Sequence, residues 1–68
     1  MSIVQKNLIR IIDEKELKKK GVAKRAGMSA QMLSDIINGR KVIRADMIPS
    51  LASAVDVPIT EMFRDMPA

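Results

Sequence analysis

The side chains of this 68-residue chain that could do chemistry are amides, hydroxyls, carboxylates and cations, because cysteine and histidine are both absent. Their absence excludes a disulfide framework, a thiolate or imidazole metal site, and a Cys/His or Ser/His nucleophile pair. Asp13, Glu14 and Glu16 are a carboxylate cluster that acid–base catalysis would need, but no cleft-forming or metal-binding residue adjoins them. They fit a solvated helix end better than a catalytic pair. What remains is hydrogen bonding and charge. Cations gather at Lys18, Lys19 and Lys20 and again at Arg40, Lys41 and Arg44, and between them the chain reads SAQMLSDIIN from Ser29 to Asn38.

On a helix beginning at Ala30, that segment has two sides. Leu33, Ile36 and Ile37 fall on one; Gln31, Ser34, Asp35 and Asn38 fall on the other; Met32 borders both and reads as rim packing. The polar side has the groups that read base edges in a DNA major groove. A planar amide such as that of Gln31 bonds adenine N6 and N7 together, Ala30 permits close approach or touches a thymine methyl, and Ser29 and Ser34 bond bases or phosphate. Asp35 is the least expected member. It could accept from cytosine N4, penalise bases that show only acceptors, or simply pair with a neighbouring cation such as Arg25. The plain alternative for the whole face is ordinary solvation.

Lys18, Lys19 and Lys20 crowd a helix start, where the macrodipole disfavours each exposed cation by about 0.3–1 kcal/mol. A bound phosphate reverses that sign, since free N–H groups and ammonium groups would share it. These lysines, with Asn38, Arg40, Lys41 and Arg44, are the candidate phosphate contacts; the competing account of the lysines is solubility plus pairing with Asp13, Glu14 and Glu16. Gly21 beside them costs roughly 1 kcal/mol against alanine in a helix, and either admits a strand close to the backbone or is merely tolerated.

Charge along the chain agrees with an anionic partner. Residues 1–44 carry 11 Lys/Arg against 4 Asp/Glu, net +7, whereas residues 45–68 carry 1 against 4, net −3. Such a basic field suits phosphate backbones or an anionic membrane surface, and also occurs as a solvated face. No run of apolar residues has the length of a signal peptide core or of the ~20 residues a membrane span needs. A cytoplasmic, nucleoid-associated protein is the expectation, built as one domain over residues 1–68 with its core at about 3–64.

The elements that must position these groups are helical. Ser2 is a cap for a helix over Ile3–Glu14, with Gln5 at capping-box spacing and Val4, Leu8, Ile11 and Ile12 at helical intervals. Gly27 supplies the positive φ that ends a second helix, and Ser29 caps the third. Val22, Ala26, Met28, Leu33 and Ile36 are apolar where two tightly packed helices need it, and Ala23 is small at their contact. A fourth helix starts after Asp46 as cap, with Pro49 in its first turn, and a final one of about two turns holds Ile59, Met62 and Phe63. Phe63, the lone aromatic residue, is expected in the core. The fold class is all-α, five helices, with Asn38-Gly39 as a helix stop.

Residues VAKRAGMSAQMLSDIINGR (22–40) and IPSLASAVDVPITEMF (48–63) resemble the helix-turn-helix domains of phage lambda repressor and Cro-like proteins. The resemblance covers about Leu8 to Phe63. It implies a five-helix DNA-binding domain, a sequence-specific regulator and in particular a repressor, working as a homodimer on a near-palindromic operator in double-stranded DNA. Two pairs of residues depart from the family pattern: Lys18 and Lys19 stand where a serine or asparagine followed by glutamine is common, and Ile12 and Ile37 replace an arginine–glutamate pair. The second change reads as a buried apolar pair, which is often neutral or stabilising. Val42 and Ile43, in a loop, with Met62 and Met66, are the candidate dimer surface. Neither a cofactor nor a small-molecule ligand is implied. The alternative, from another class, is an antitoxin or protein-binding adaptor on the same helices, against which stands the short stretch after Phe63.

Overall fold

Ser2 begins the first helix as its spacing predicts: its Oγ accepts from the Gln5 backbone N–H at 3.1 Å. The structure, a computed structural model, describes residues 2–65. Four α-helices follow one another, α1 (Ile3–Glu14), α2 (Lys19–Ala26), α3 (Ala30–Ile37) and α4 (Ile48–Ala54). A 3₁₀ turn, Ala45–Met47, leads into α4, and a 3₁₀ helix, Ile59–Phe63, closes the fold. The class is all-α, and no strand occurs among the described residues. The fifth expected helix is thus this five-residue 3₁₀ segment rather than two α-turns. Pro58 immediately precedes it, and the Glu61 N–H bonds back to the Pro58 carbonyl three residues earlier.

The core is aliphatic. Val4, Leu8, Ile11 and Ile12 of α1, Val22 and Ala23 of α2, Leu33 and Ile36 of α3, Leu51, Ala52 and Ala54 of α4, then Val55 and Met62, form one buried cluster. Burial of each large member contributes about 1.5–3 kcal/mol, and Leu33→Ala, at a fully buried site, would cost about 2–5 kcal/mol. Within the cluster α2 packs on α3 and α4, and α1 packs on α3 and the closing 3₁₀ helix.

Four expectations need correction. Phe63 is 50% exposed, while Met62 is fully buried and so supplies no dimer surface. In a 3₁₀ helix, successive side chains point about 120° apart, so only one of the two neighbours can face inward. The unbranched methionine fills the irregular gap beneath α1 and α4. Next, Asp46 does not cap α4. Met47 is the cap residue, without a side-chain bond, and Asp46 instead pairs with Arg44 at 3.4 Å. Pro49 does sit in the first turn of α4. Lastly, only half of the capping box forms at α1, because the Gln5 side chain reaches across to α3 instead of back to the Ser2 N–H. Met66, the remaining dimer candidate, lies outside the described residues.

Polar ties that no periodicity announces complete the packing. Asn7, fully buried, donates to the carbonyls of Met62 and Arg64, both at 2.9 Å, and fastens the closing helix onto α1. Lys15 Nζ donates to the Val55 and Asp56 carbonyls, both at 2.9 Å, which puts a cation on the negative end of α4.

Candidate nucleic-acid interface

The break between α2 and α3 sets the geometry. Gly27 takes φ 74°, and the Met28 N–H bonds back to the Ala23 carbonyl at 3.0 Å, so α2 ends in a left-handed turn. A side chain at that φ would be strained. Two residues later, Ser29 Oγ accepts from the Met32 N–H at 3.0 Å and starts α3. At its far end, Asn38 and Gly39, with φ 80° at the glycine, stop the helix as expected.

Helix α3 buries Leu33 and Ile36 and turns Ala30, Gln31 and Asn38 to solvent, with Ser34 and Asp35 half-buried beside them. The structure therefore brings the polar candidates together on one face. Met32 and Ile37 are half-buried against the core, so Met32 is rim packing. Along the polar face the side chains bond one another: Gln31 Nε2 donates to Asp35 Oδ1 at 3.0 Å, and Asn38 Nδ2 donates to Ser34 Oγ at 3.2 Å.

Asp35 has a different partner from the one the sequence suggests. Its Oδ1 pairs with Arg40 Nε at 2.9 Å, not with Arg25, and the Arg40 backbone N–H also bonds the Asp35 carbonyl at 2.8 Å. The turn after Gly39 folds the chain back over the last turn of α3, which sequence separation on a straight helix cannot show. The hydrogen bond from Arg40, then that from Gln31, holds the Asp35 carboxyl below the ordinary carboxylate range, against a smaller opposing effect of burial.

Lys18, Lys19 and Lys20 are exposed at the start of α2 and form no ion pair with a described residue. The pairing with Asp13, Glu14 and Glu16 that would have explained them is missing; Glu14 pairs instead with Arg10 at 3.1 Å. Lys18 occupies the cap position of α2 without a side-chain hydrogen bond, so side chains leave the first N–H groups of α2 open. Gly21 has nothing within 4 Å of where a Cβ would stand, so packing does not require the glycine. After α3 in the chain, Arg40, Lys41 and Arg44 are exposed, Arg44 sharing its charge with Asp46.

What sequence reasoning missed is the support behind α3. Gln5 Nε2, on α1, donates to the carbonyls of Ile36 and Ile37 at 2.9 and 3.2 Å, satisfying acceptors that the end of α3 leaves open. A buried glutamine in an otherwise apolar stripe was the available signal. Ile12, buried, and Ile37, half-buried, line one groove together with Ile9 and Leu17 and with the charged Arg10, Asp13, Glu16 and Lys19, which is compatible with an apolar pair at these two positions.

Fold and site together define an all-α helix-turn-helix protein that presents the polar face of a short amphipathic helix, with exposed cations before and after that helix in the chain. The helix-turn-helix family pattern matches residues 8–62, and the chain belongs to that family, in its lambda repressor and Cro-like branch. It is thereby a DNA-binding regulator of the Cro/C1 type. Neither comparison with characterised proteins nor comparison with solved structures finds a match. No described helix is long and apolar enough to cross a membrane.

Proposed function

We propose that the protein is a sequence-specific transcriptional repressor, a homodimer that lays α3 of each copy into the major groove of a near-palindromic duplex site. The observation that carries this is the position of Gln31, exposed in the first turn of α3, with exposed cations before that helix in the chain at Lys18, Lys19 and Lys20 and after it at Arg40 and Lys41. Cations before and after such a helix in the chain hold phosphates, and a groove-bound helix then meets base edges with its first residues. Ala30, also exposed, adds no bulk that would hold the helix away.

In this scheme Ser29, Ala30, Gln31, Ser34 and Asp35 face the bases, while Lys18, Lys19, Lys20, Asn38, Arg40, Lys41 and Arg44 hold the backbone. Residues 1–68 act as one DNA-binding domain. One copy spans 30 × 23 × 21 Å, less than the ~34 Å between successive major-groove faces, so a longer site calls for two copies. Val42, 83% exposed, with half-buried Ile43 beside it, stays a candidate for the dimer surface, and Phe63 takes the place of Met62. Repression follows from occupancy, since a bound dimer excludes other proteins from the same stretch.

Selection of bound duplexes from a random pool tests this. Enriched sequences should contain two half-sites related by a dyad, with centres about one helical turn apart. A pool that emerges without enrichment would remove the proposal, and enrichment without two-fold symmetry would remove its dimer.

A further inference from the structure

We propose that Asp35 is a positioning residue that sets which way round the Gln31 amide faces, and thereby selects adenine over guanine at one position; this rests on Gln31 reading a base, as proposed above.

A glutamine amide has two orientations that differ only by exchange of its oxygen and nitrogen. In the structure Gln31 Nε2 donates to Asp35 Oδ1 at 3.0 Å, one helical turn away. Reversing the amide would set Oε1 against a carboxylate oxygen, two acceptors with no proton between them. The carboxylate thus admits one orientation. With one N–H given to Asp35, the amide keeps its oxygen and a second N–H, the complement of adenine N6–H and N7. Guanine presents two acceptors there, N7 and O6, and would leave the amide oxygen facing O6 with a negative charge behind it.

The carboxylate is itself held. Arg40 Nε bonds the same Oδ1 at 2.9 Å, and the Arg40 N–H bonds the Asp35 carbonyl at 2.8 Å, so the turn keeps Arg40 within reach and Asp35 swings away only by giving up that ion pair. This arrangement uses only Nε and leaves both terminal nitrogens of the guanidinium for a phosphate. One carboxylate oxygen therefore joins the group that reads to a group that grips. The carboxyl remains ionised at neutral pH, consistent with its lowered pKa.

The experiment measures binding of the full chain, at fixed salt, to its selected site and to every single-base-pair change of it. The proteins are wild type, Gln31→Ala, Asp35→Ala, Asp35→Asn and the Gln31→Ala/Asp35→Ala double variant, each first checked for cooperative unfolding. Gln31→Ala should lose about tenfold in discrimination at one base pair. Asp35→Asn keeps the size of the side chain but can donate or accept, so both amide orientations are satisfied. It should lose about threefold or more at that same base pair, and the double variant should lose no more than Gln31→Ala alone. Asp35 variants with unchanged base preferences would overturn the proposal while leaving Gln31 as a reader. Loss at a different base pair, additive to that of Gln31, would also overturn it and make Asp35 a reader in its own right. Gln31→Ala with every preference intact would remove the reading by Gln31 and this inference with it.

Discussion

Gln5 Nε2 donates to the carbonyl of Ile36 at 2.9 Å across 31 residues of chain, so the first turn of α1 closes the last turn of α3. Helix α3 is thereby held at both ends by hydroxyl and amide groups: Ser29 at its start, Gln5 at its finish. Its pose relative to the core does not depend on packing of Leu33 and Ile36 alone.

Removing that amide should therefore be felt twice. Gln5→Ala is expected to lower the unfolding free energy by about 1–3 kcal/mol in chemical denaturation, because it takes a donor away from acceptors that stay buried. Affinity for the selected site should fall as α3 loosens, with base preferences kept. An unchanged denaturation midpoint would mean that water replaces the amide without penalty.

Grip and reading should separate by salt. Lys19→Ala is expected to weaken binding to all sequences and to flatten the slope of log K against log salt by about 0.9 for each phosphate no longer neutralised. Gln31→Ala should cost about 1–3 kcal/mol on the preferred site, with the slope nearly unchanged. Arg40→Ala should do both, because Arg40 also holds Asp35. Titrations at several salt concentrations decide it; a Gln31 variant that moves only the slope would end its role as a reader.

Gly21 offers a substitution with opposite effects on folding and binding. Since a Cβ there meets nothing, Gly21→Ala should raise stability by about 0.5–1 kcal/mol through helix propensity. If a DNA strand lies against the start of α2, the same methyl should lower affinity for specific and random DNA alike. Raised thermal stability with unaltered affinity would show the glycine to be merely tolerated.

Met62 and Phe63, adjacent in sequence, should answer different assays. Met62→Ala removes a fully buried side chain and should cost about 2–5 kcal/mol in stability. Phe63→Asp, at a half-exposed position, should leave the fold nearly as stable but shift sedimentation from dimer to monomer and weaken binding to the two-half-site duplex. A Phe63→Asp protein that remains dimeric would move the interface to Val42 and its loop.

The lowered pKa of Asp35 has a consequence at acid pH. A carboxyl whose folded value lies below its ordinary 3.8 contributes stability that is fully present above that value and is lost as pH falls through the lower folded value. The stability difference between wild type and Asp35→Asn should then be flat from about pH 8 down to about pH 5 and shrink below about pH 4. A difference that varies near neutrality would mean that another group controls this cluster.

Placement of the four α-helices, the left-handed turn at Gly27, the caps at Ser2 and Ser29 and the polar side of α3 were legible in the chain, because each depends on residues within about one turn of one another. Family membership was legible for the same reason, its pattern being a run of local requirements. Contacts that join distant segments were not. Gln5 looked like half of a capping box until α3 was seen beside it. Nearer in the chain, Asp35 took Arg40 instead of Arg25 because the left-handed turn at Gly39 brings Arg40 back to the end of α3. Met62 and Phe63 exchanged roles because the core takes only one of two adjacent side chains, and how the closing 3₁₀ helix lies against α1 and α4 decides which. Sequence by itself determined what has local causes, namely the elements, their ends and the chemical character of one exposed face. Only the tertiary structure decided which donor meets which acceptor across the core, since several partners of equal chemistry lie within reach in the chain and packing leaves one.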